Sequence, residues 1–266
     1  MKRELALTGL TLTFCALACA QDYSGDRVTV PASSHPRTIK AELSNGSITV
    51  RTHATNDVIV ETGGGNGREH PERTVDGLRR LNLPNRGLDV EADENTITVK
   101  LVRDASNQSL TLTVPVATSL QLTSHNGSIN VDGVQGEADL TSHNGPINAT
   151  NMSGAVLADT RNGSIKVSFN HVDSGKPIAF TSYNGTIDVA LPADFKANLK
   201  LRSSQGDVYT DFEVKLTPVA GTITEPNSSG HGYRVRTDQT ITGTINGGGA
   251  DASFTTYNGK ILIRKK

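Results

Sequence analysis

Cysteine, tryptophan and long apolar runs are nearly missing from this chain of 266 residues. Its only two cysteines, Cys15 and Cys19, both fall within the first twenty residues. A chain cleaved after them holds neither disulfides nor thiolate metal sites. Trp is absent and aromatics make up only 4%, which suits thin layers of Ile, Val and Leu better than a core built on large rings. Beyond residue 20 no apolar stretch is long enough to span a bilayer as a helix. No window there keeps a 3.6-residue apolar period, which excludes a packed helical core. The formal net charge is −1 with 20% charged residues, so there is no basic field to attract nucleic acid.

The first residues do contain a short basic start, Met1-Lys2-Arg3, and an apolar run from Leu5 to Leu17. Ala18-Cys19-Ala20 then precedes Gln21. Residues 1–20 read as a secretory signal peptide, too short for a membrane-spanning helix. The chain is therefore expected to be exported, to the periplasm, the cell surface or the outside of the cell. A competing reading takes Ala16-Leu17-Ala18-Cys19 as a lipobox, and membrane association is expected only if Cys19 is lipidated.

Residues 21–116 form a β-rich N-terminal segment. Arg27–Val30, Arg37–Leu43, Ser47–Val50, Asp57–Val60, Leu88–Ala92, Thr96–Val102 and Leu110–Val114 alternate apolar and polar residues, as half-buried strands do. A Gly-rich loop near 63–87 interrupts them, with Gly63-Gly64-Gly65-Asn66-Gly67 and a charged run from Arg68 to Arg73. It reads as a mobile surface loop.

Residues 117–266 repeat one phrase. Leu122-Thr-Ser-His-Asn126-Gly127-Ser-Ile129 returns as Leu140-Thr-Ser-His-Asn144-Gly145-Pro-Ile147 and as Ala158-Asp-Thr-Arg-Asn162-Gly163-Ser-Ile165. Asn126, Asn144 and Asn162 are spaced by 18 residues, Asn184 follows after 22 and Gln205 after 21. Leu122, Leu140, Ala158, Phe180, Leu201 and Phe254 form one apolar file; Ile129, Ile147, Ile165, Ile187, Val208 and Ile261 form another. Ser124, Ser142, Thr160, Ser182, Ser203 and Thr256 stand just before the turns. Asn and Gly there tolerate the left-handed backbone of a sharp corner. In a meander, successive turns need not share flanking residues; here every copy keeps the same frame. A period of about 18–22 residues fits two short strands and two corners, one rung of a parallel β-solenoid. The fold class expected is all-β, a β-helix-like solenoid led by the β-rich N-terminal segment. Second corners are expected at Asp132–Gly136 and Met152–Gly154. An insertion near 217–232 separates the last copy, whose terminal Arg264-Lys265-Lys266 would shield an exposed final rung from edge pairing.

The Val114-Pro115 lead-in, the phrase Leu122 to Ile129 and its repetition through Gly259-Lys-Ile261 resemble the bacterial adhesin-like family of β-strand-repeat proteins. That family is exported or envelope-anchored and catalogued as a domain of unknown function. The resemblance runs from about Arg27 to Lys266. It implies a parallel β-helix-like fold and an adhesin-like role, and its motif brings no catalytic residue with it.

The residue before each turn varies: His125, His143, Arg161, Tyr183, Ser204 and Tyr257. On a solenoid these tips form one outward column, either a surface recognition strip or merely a soluble edge. His125 and His143 on adjacent rungs suggest a shared divalent metal, but no third ligand is evident and no metal or cofactor is assigned. Glycosidases need two facing carboxylates; Asp132, Asp139, Asp159, Asp188 and Asp207 do not recur in one column. The single Gly247-Gly-Gly-Ala-Asp251 lacks calcium-repeat spacing, and Gly63–Gly67 lacks the Lys-Ser or Lys-Thr of a phosphate loop. The expected function is a non-enzymatic adhesin or cell-envelope interaction protein. Its partner would be an envelope component, glycan or protein, not a nucleic acid. The alternatives are a β-helix polysaccharide lyase or hydrolase, or a structural or sensory accessory of the envelope.

Overall fold

The structure, a computed structural model, describes residues 27–33, 35–63, 87–101, 108–173, 175–217, 222–226, 233–237 and 240–266. The proposed signal peptide, nearly all of the 63–87 loop and much of the 217–232 insertion lie outside the described residues. Among the described residues no helix is long and apolar enough to cross a membrane.

Alternation decides the local structure. In Ala138–Asn144, Ala138, Leu140 and Ser142 are buried while Asp139 and His143 are exposed, the period of two that places alternate side chains on opposite faces of a strand. In chain order the strands are β1 (Arg27–Val30), β2 (Thr38–His53), β3 (Val58–Gly63), β4 (Leu88–Ala92), β5 (Thr96–Leu101), β6 (Gln108–Pro115), β7 (Ser119–Asn126) and β8 (Ile129–Asp132). There follow β9 (Ala138–Asn144), β10 (Ile147–Met152), β11 (Val156–Asn162), β12 (Ile165–Phe169), β13 (Ile178–Asn184), β14 (Ile187–Leu191), β15 (Ala197–Gln205) and β16 (Val208–Thr210). The last are β17 (Val214–Thr217), β18 (Thr222–Pro226), β19 (Tyr233–Thr237), β20 (Thr240–Ile245), β21 (Ala250–Asn258) and β22 (Ile261–Lys265).

Two layers result, joined at the Asn-Gly corners. One layer runs β4–β5–β2–β7–β9–β11–β13–β21–β15–β20–β17. The other runs β1–β3–β6–β2–β8–β10–β12–β14–β22–β16. Strand β2 is long enough to serve both, pairing with β7 before its corner and with β8 after it. All rungs from β5/β6 to β15/β16 are parallel, and antiparallel strands flank them. This is the parallel β-solenoid expected from the repeat. Strands β18 and β19 pair with each other.

Rung order departs from chain order at both ends. Strand β2 lies between β5/β6 and β7/β8. The C-terminal copy, β21/β22, lies between β13/β14 and β15/β16. The expectation that the last copy is an exposed final rung is therefore corrected. Arg264 reaches back to the preceding rung, where its Nε donates to Asp188 Oδ1 at 2.8 Å. Beyond β15, the antiparallel strands β20 and β17 cover the edge of the first layer, which limits unwanted strand pairing there.

Inside, like stacks on like. Ile48, Ile129, Ile147, Ile165, Ile187 and Ile261 are each fully buried and lie in register from rung to rung. Burying one such side chain stabilises the fold by about 1.5–3 kcal/mol. Phe169, Phe180 and Phe254 are fully buried in the interior, with ring centroids 6.5 and 5.2 Å apart.

Candidate functional site

The corner that carries the outward column is built from three files, two of hydrogen bonds and one of close backbone contacts. Asn126 Nδ2 donates to Asn45 Oδ1 at 3.0 Å, and Asn144 to Asn126 at 2.9 Å. Asn162 to Asn144, Asn184 to Asn162 and Asn258 to Asn184 follow at 2.8 Å each. One residue pair inward, the buried hydroxyls of Ser124, Ser142, Thr160, Ser182, Thr256 and Ser203 donate across the rungs. Their acceptors are the carbonyls of Gly46, Gly127, Gly145, Gly163, Gly185 and Gly259 respectively, at 2.9–3.3 Å. The glycines form the third file. A Cβ built on Gly145 would overlap the Gly127 carbonyl oxygen, and Gly163, Gly185 and Gly259 repeat the relation one rung on.

Close approach, rather than the left-handed backbone expected from Asn-Gly, thus accounts for most of these glycines. No Asn at this corner has positive φ among the described residues, and neither do Gly145, Gly163, Gly185, Gly206 or Gly259. Left-handed residues sit at the second corner instead, where Gly133 (φ 80°) and Asn151 (φ 54°) follow the paired residues Asp132 and Thr150. Both residue types tolerate that region.

With the corner fixed this way, the pre-turn side chains point out from the first layer. The order of rungs brings His125, His143, Arg161, Tyr183 and Tyr257 onto five successive rungs, because the flanking pairs 126–144, 144–162, 162–184 and 184–258 are all in register. Ser204, beside Gln205, follows on a sixth rung beyond Tyr257. The imidazoles of His125 and His143 lie 5.2 Å apart at 48°. The rings of Tyr183 and Tyr257 stack at 4.9 Å and 2°, with the two residues 50% and 42% exposed. Arg161 stands between the two ring pairs. His125 is half-buried, and its Nδ1 is buried without a hydrogen-bond partner among the described residues.

A second outward file runs beside the column and reads Thr123, Thr141, Asp159, Thr181, Thr255. Asp159, weighed from the sequence only as one of five scattered carboxylates, is the one departure from Thr in that file. Its surface is exposed, yet its outward neighbours crowd it enough to push its carboxyl above the ordinary range. His143 opposes that shift and Asp139 reinforces it. On the second layer, Asp132 is held below the ordinary range by hydrogen bonds from Thr150 and Asn151, both at 2.8 Å. Asp188 is engaged by Arg264 and Asp207 by the Tyr209 hydroxyl. Among the described residues no three His, Cys, Asp or Glu side chains converge as a metal site. A cavity of about 600 Å³ indents the corner beside the column and is lined by Asn45, Gly46, Ser47, Gln108, Ser109, Asn126 and Gly127. That lining offers amide and hydroxyl hydrogen bonds but no titratable group.

The sequence matches the model of the Toastrack DUF4097 family over residues 20–246. The chain belongs to the Toastrack family. By structure, this Toastrack chain is similar to a candidate cell adhesion protein from Clostridium sporogenes ATCC 15579, at 12% identity and a TM-score of 0.46, with 91% of this chain and 100% of that chain covered. It is also similar to a candidate adhesin from Bacteroides fragilis NCTC 9343, at 12% identity and a TM-score of 0.28, covering 91% and 97%. A third, from Parabacteroides distasonis ATCC 8503, shares 8% identity at a TM-score of 0.24, covering 92% and 98%. No curated protein matches the sequence.

Proposed function

We propose that this Toastrack protein is a non-enzymatic, exported binding module of the cell envelope. It is adhesin-like in role and engages a glycan or protein through His125, His143, Arg161, Tyr183 and Tyr257. One observation carries the reading: the threaded C-terminal rung sets Tyr257 on Tyr183 and so makes the column continuous over five rungs. Exposed Tyr and Arg are the side chains most often found at energetic centres of recognition surfaces. Arg161 adds a planar fork of donors suited to carboxylate or phosphate, and the Tyr rings add rigid apolar area with a polar tip. Export rests on the signal-like residues 1–20.

The test compares the wild type with an Arg161→Ala, Tyr183→Ala, Tyr257→Ala variant on a glycan array and in envelope-protein pull-downs. Binding should fall with the variant while the melting curve stays in place, since all three side chains are exposed. Retained binding would remove the column from the reading, and cleavage of polysaccharide by the pure protein would replace a binding module with an enzyme.

A further inference from the structure

An Asn-Gly peptide carries its own reaction. The glycine main-chain nitrogen attacks the Asn side-chain carbonyl carbon and a C–N bond forms. The side-chain nitrogen leaves as ammonia and a succinimide closes. Water then opens the ring at either carbonyl, leaving aspartate or isoaspartate. Glycine favours the attack because no Cβ crowds the incoming nitrogen.

Most of the ladder holds this reaction in check. Gly127, Gly145, Gly163 and Gly185 donate their N–H groups to the main-chain carbonyls of Asn144, Asn162, Asn184 and Asn258 at 2.9–3.1 Å. The nucleophile is therefore engaged at each of these corners. The side chains of Asn126, Asn144, Asn162 and Asn184 each donate to one neighbour and accept from the other. Turning a carboxamide toward its own glycine breaks both bonds, so these sites react only through local opening of the stack.

Asn258 differs. Its far neighbour is Gln205, which breaks the run of Asn. Among the described residues, Asn258 Oδ1 accepts no hydrogen bond; only the bond from its Nδ2 to Asn184 remains. Asn258 is also exposed, whereas Asn45, which likewise keeps a single ladder bond, is half-buried within strand β2. We infer that Asn258 is the deamidation site of the ladder, the corner at which succinimide forms in the folded protein. The reaction places a new carboxylate next to Tyr257, so the aromatic end of the outward column gains negative charge as the protein ages. Among the described residues the competing pair outside the ladder, Asn246-Gly247, keeps its leaving nitrogen on the carbonyls of Ala193 and Phe195 at 3.1 and 2.8 Å.

Peptide mapping by mass spectrometry tests this on the full chain, held folded in mildly alkaline buffer and, in parallel, in denaturant. Asn184 and Asn258 share the local sequence Tyr-Asn-Gly, so they differ in their place in the ladder. In the folded protein Asn258 should convert roughly five- to tenfold faster than Asn184, the ratio expected for about one missing hydrogen bond. In denaturant the two rates should agree. Equal rates in the folded protein, or a ratio that survives unfolding, would overturn the inference.

Discussion

Gly145 and Gly247 separate two reasons for having glycine at a corner. Gly145 lacks a positive φ, so alanine is compatible with its backbone. Its added Cβ, however, would overlap the carbonyl oxygen of Gly127. That same oxygen accepts the hydroxyl of buried Ser142 at 3.2 Å. Gly145→Ala must therefore push two rungs apart, an overpacking cost of about 1–3 kcal/mol. The displaced carbonyl also leaves the Ser142 hydroxyl unpaired, a further ~1–3 kcal/mol. A total of about 2–6 kcal/mol is a large part of the about 5–15 kcal/mol that typically holds a protein folded. Gly247 is the opposite case: its φ is +88° and nothing lies within 4 Å of its would-be Cβ. Alanine there meets only backbone strain, about 1–2 kcal/mol. Urea unfolding followed by circular dichroism measures both, read as a shift in midpoint at unchanged slope. Gly145→Ala should lose clearly more stability than Gly247→Ala. The reverse order would mean that backbone handedness, not contact between rungs, selects glycine in this stack.

Two further substitutions probe the interior and the outer face. Ile147 is fully buried between Ile129 and Ile165. Ile147→Val should cost only about 0.5–1.5 kcal/mol, whereas Ile147→Asp places a carboxylate in the apolar file and should abolish the cooperative melt. A normal melting curve for Ile147→Asp would refute the inward assignment of that file. Asp159→Asn should stabilise the protein near neutral pH. The Asp159 carboxyl is raised by crowding when folded, so the unfolded chain releases that proton first and stability declines as pH rises through the folded pKa. Below the ordinary Asp value of about 3.9 both states are protonated, and the advantage of the variant should vanish. Melting temperatures of both proteins across that pH range would show it, and a gain that instead grows in acid would contradict the assignment.

Much of the fold is legible because it is periodic. The inward Ile and Leu files and the contact of Asn on Asn follow directly from a fixed frame of residues and a period of two within strands. Rung order does not follow, since a period says nothing about which copy neighbours which. One signal was nevertheless present. Phe254-Thr-Thr-Tyr-Asn-Gly259 is closer to Phe180-Thr-Ser-Tyr-Asn-Gly185 than either is to Leu201-Arg-Ser-Ser-Gln-Gly206. In a stack that places like on like, this argues for the adjacency found. The hydroxyl file before the turns was visible as a pattern but not as a set of bonds, because a Ser at a corner suits water as well as a carbonyl. The pre-turn column was recognisable by its variability; its continuity needed the coordinates.

The threaded rung also bears on how the chain reaches its native state. Strands β15 and β16 are made before β21 and β22, yet they rest on them rather than on β13 and β14. Until the C-terminal residues arrive, one slot in the stack stands open and two sets of strand edges lack their partners. Such a protein cannot simply wind up rung by rung as it leaves the ribosome. Seating the last copy brings together segments far apart in sequence, the kind of closure that lowers folding rates. The last copy acts as a keystone, and the interval before it is seated is when the chain is most exposed to aggregation through open edges.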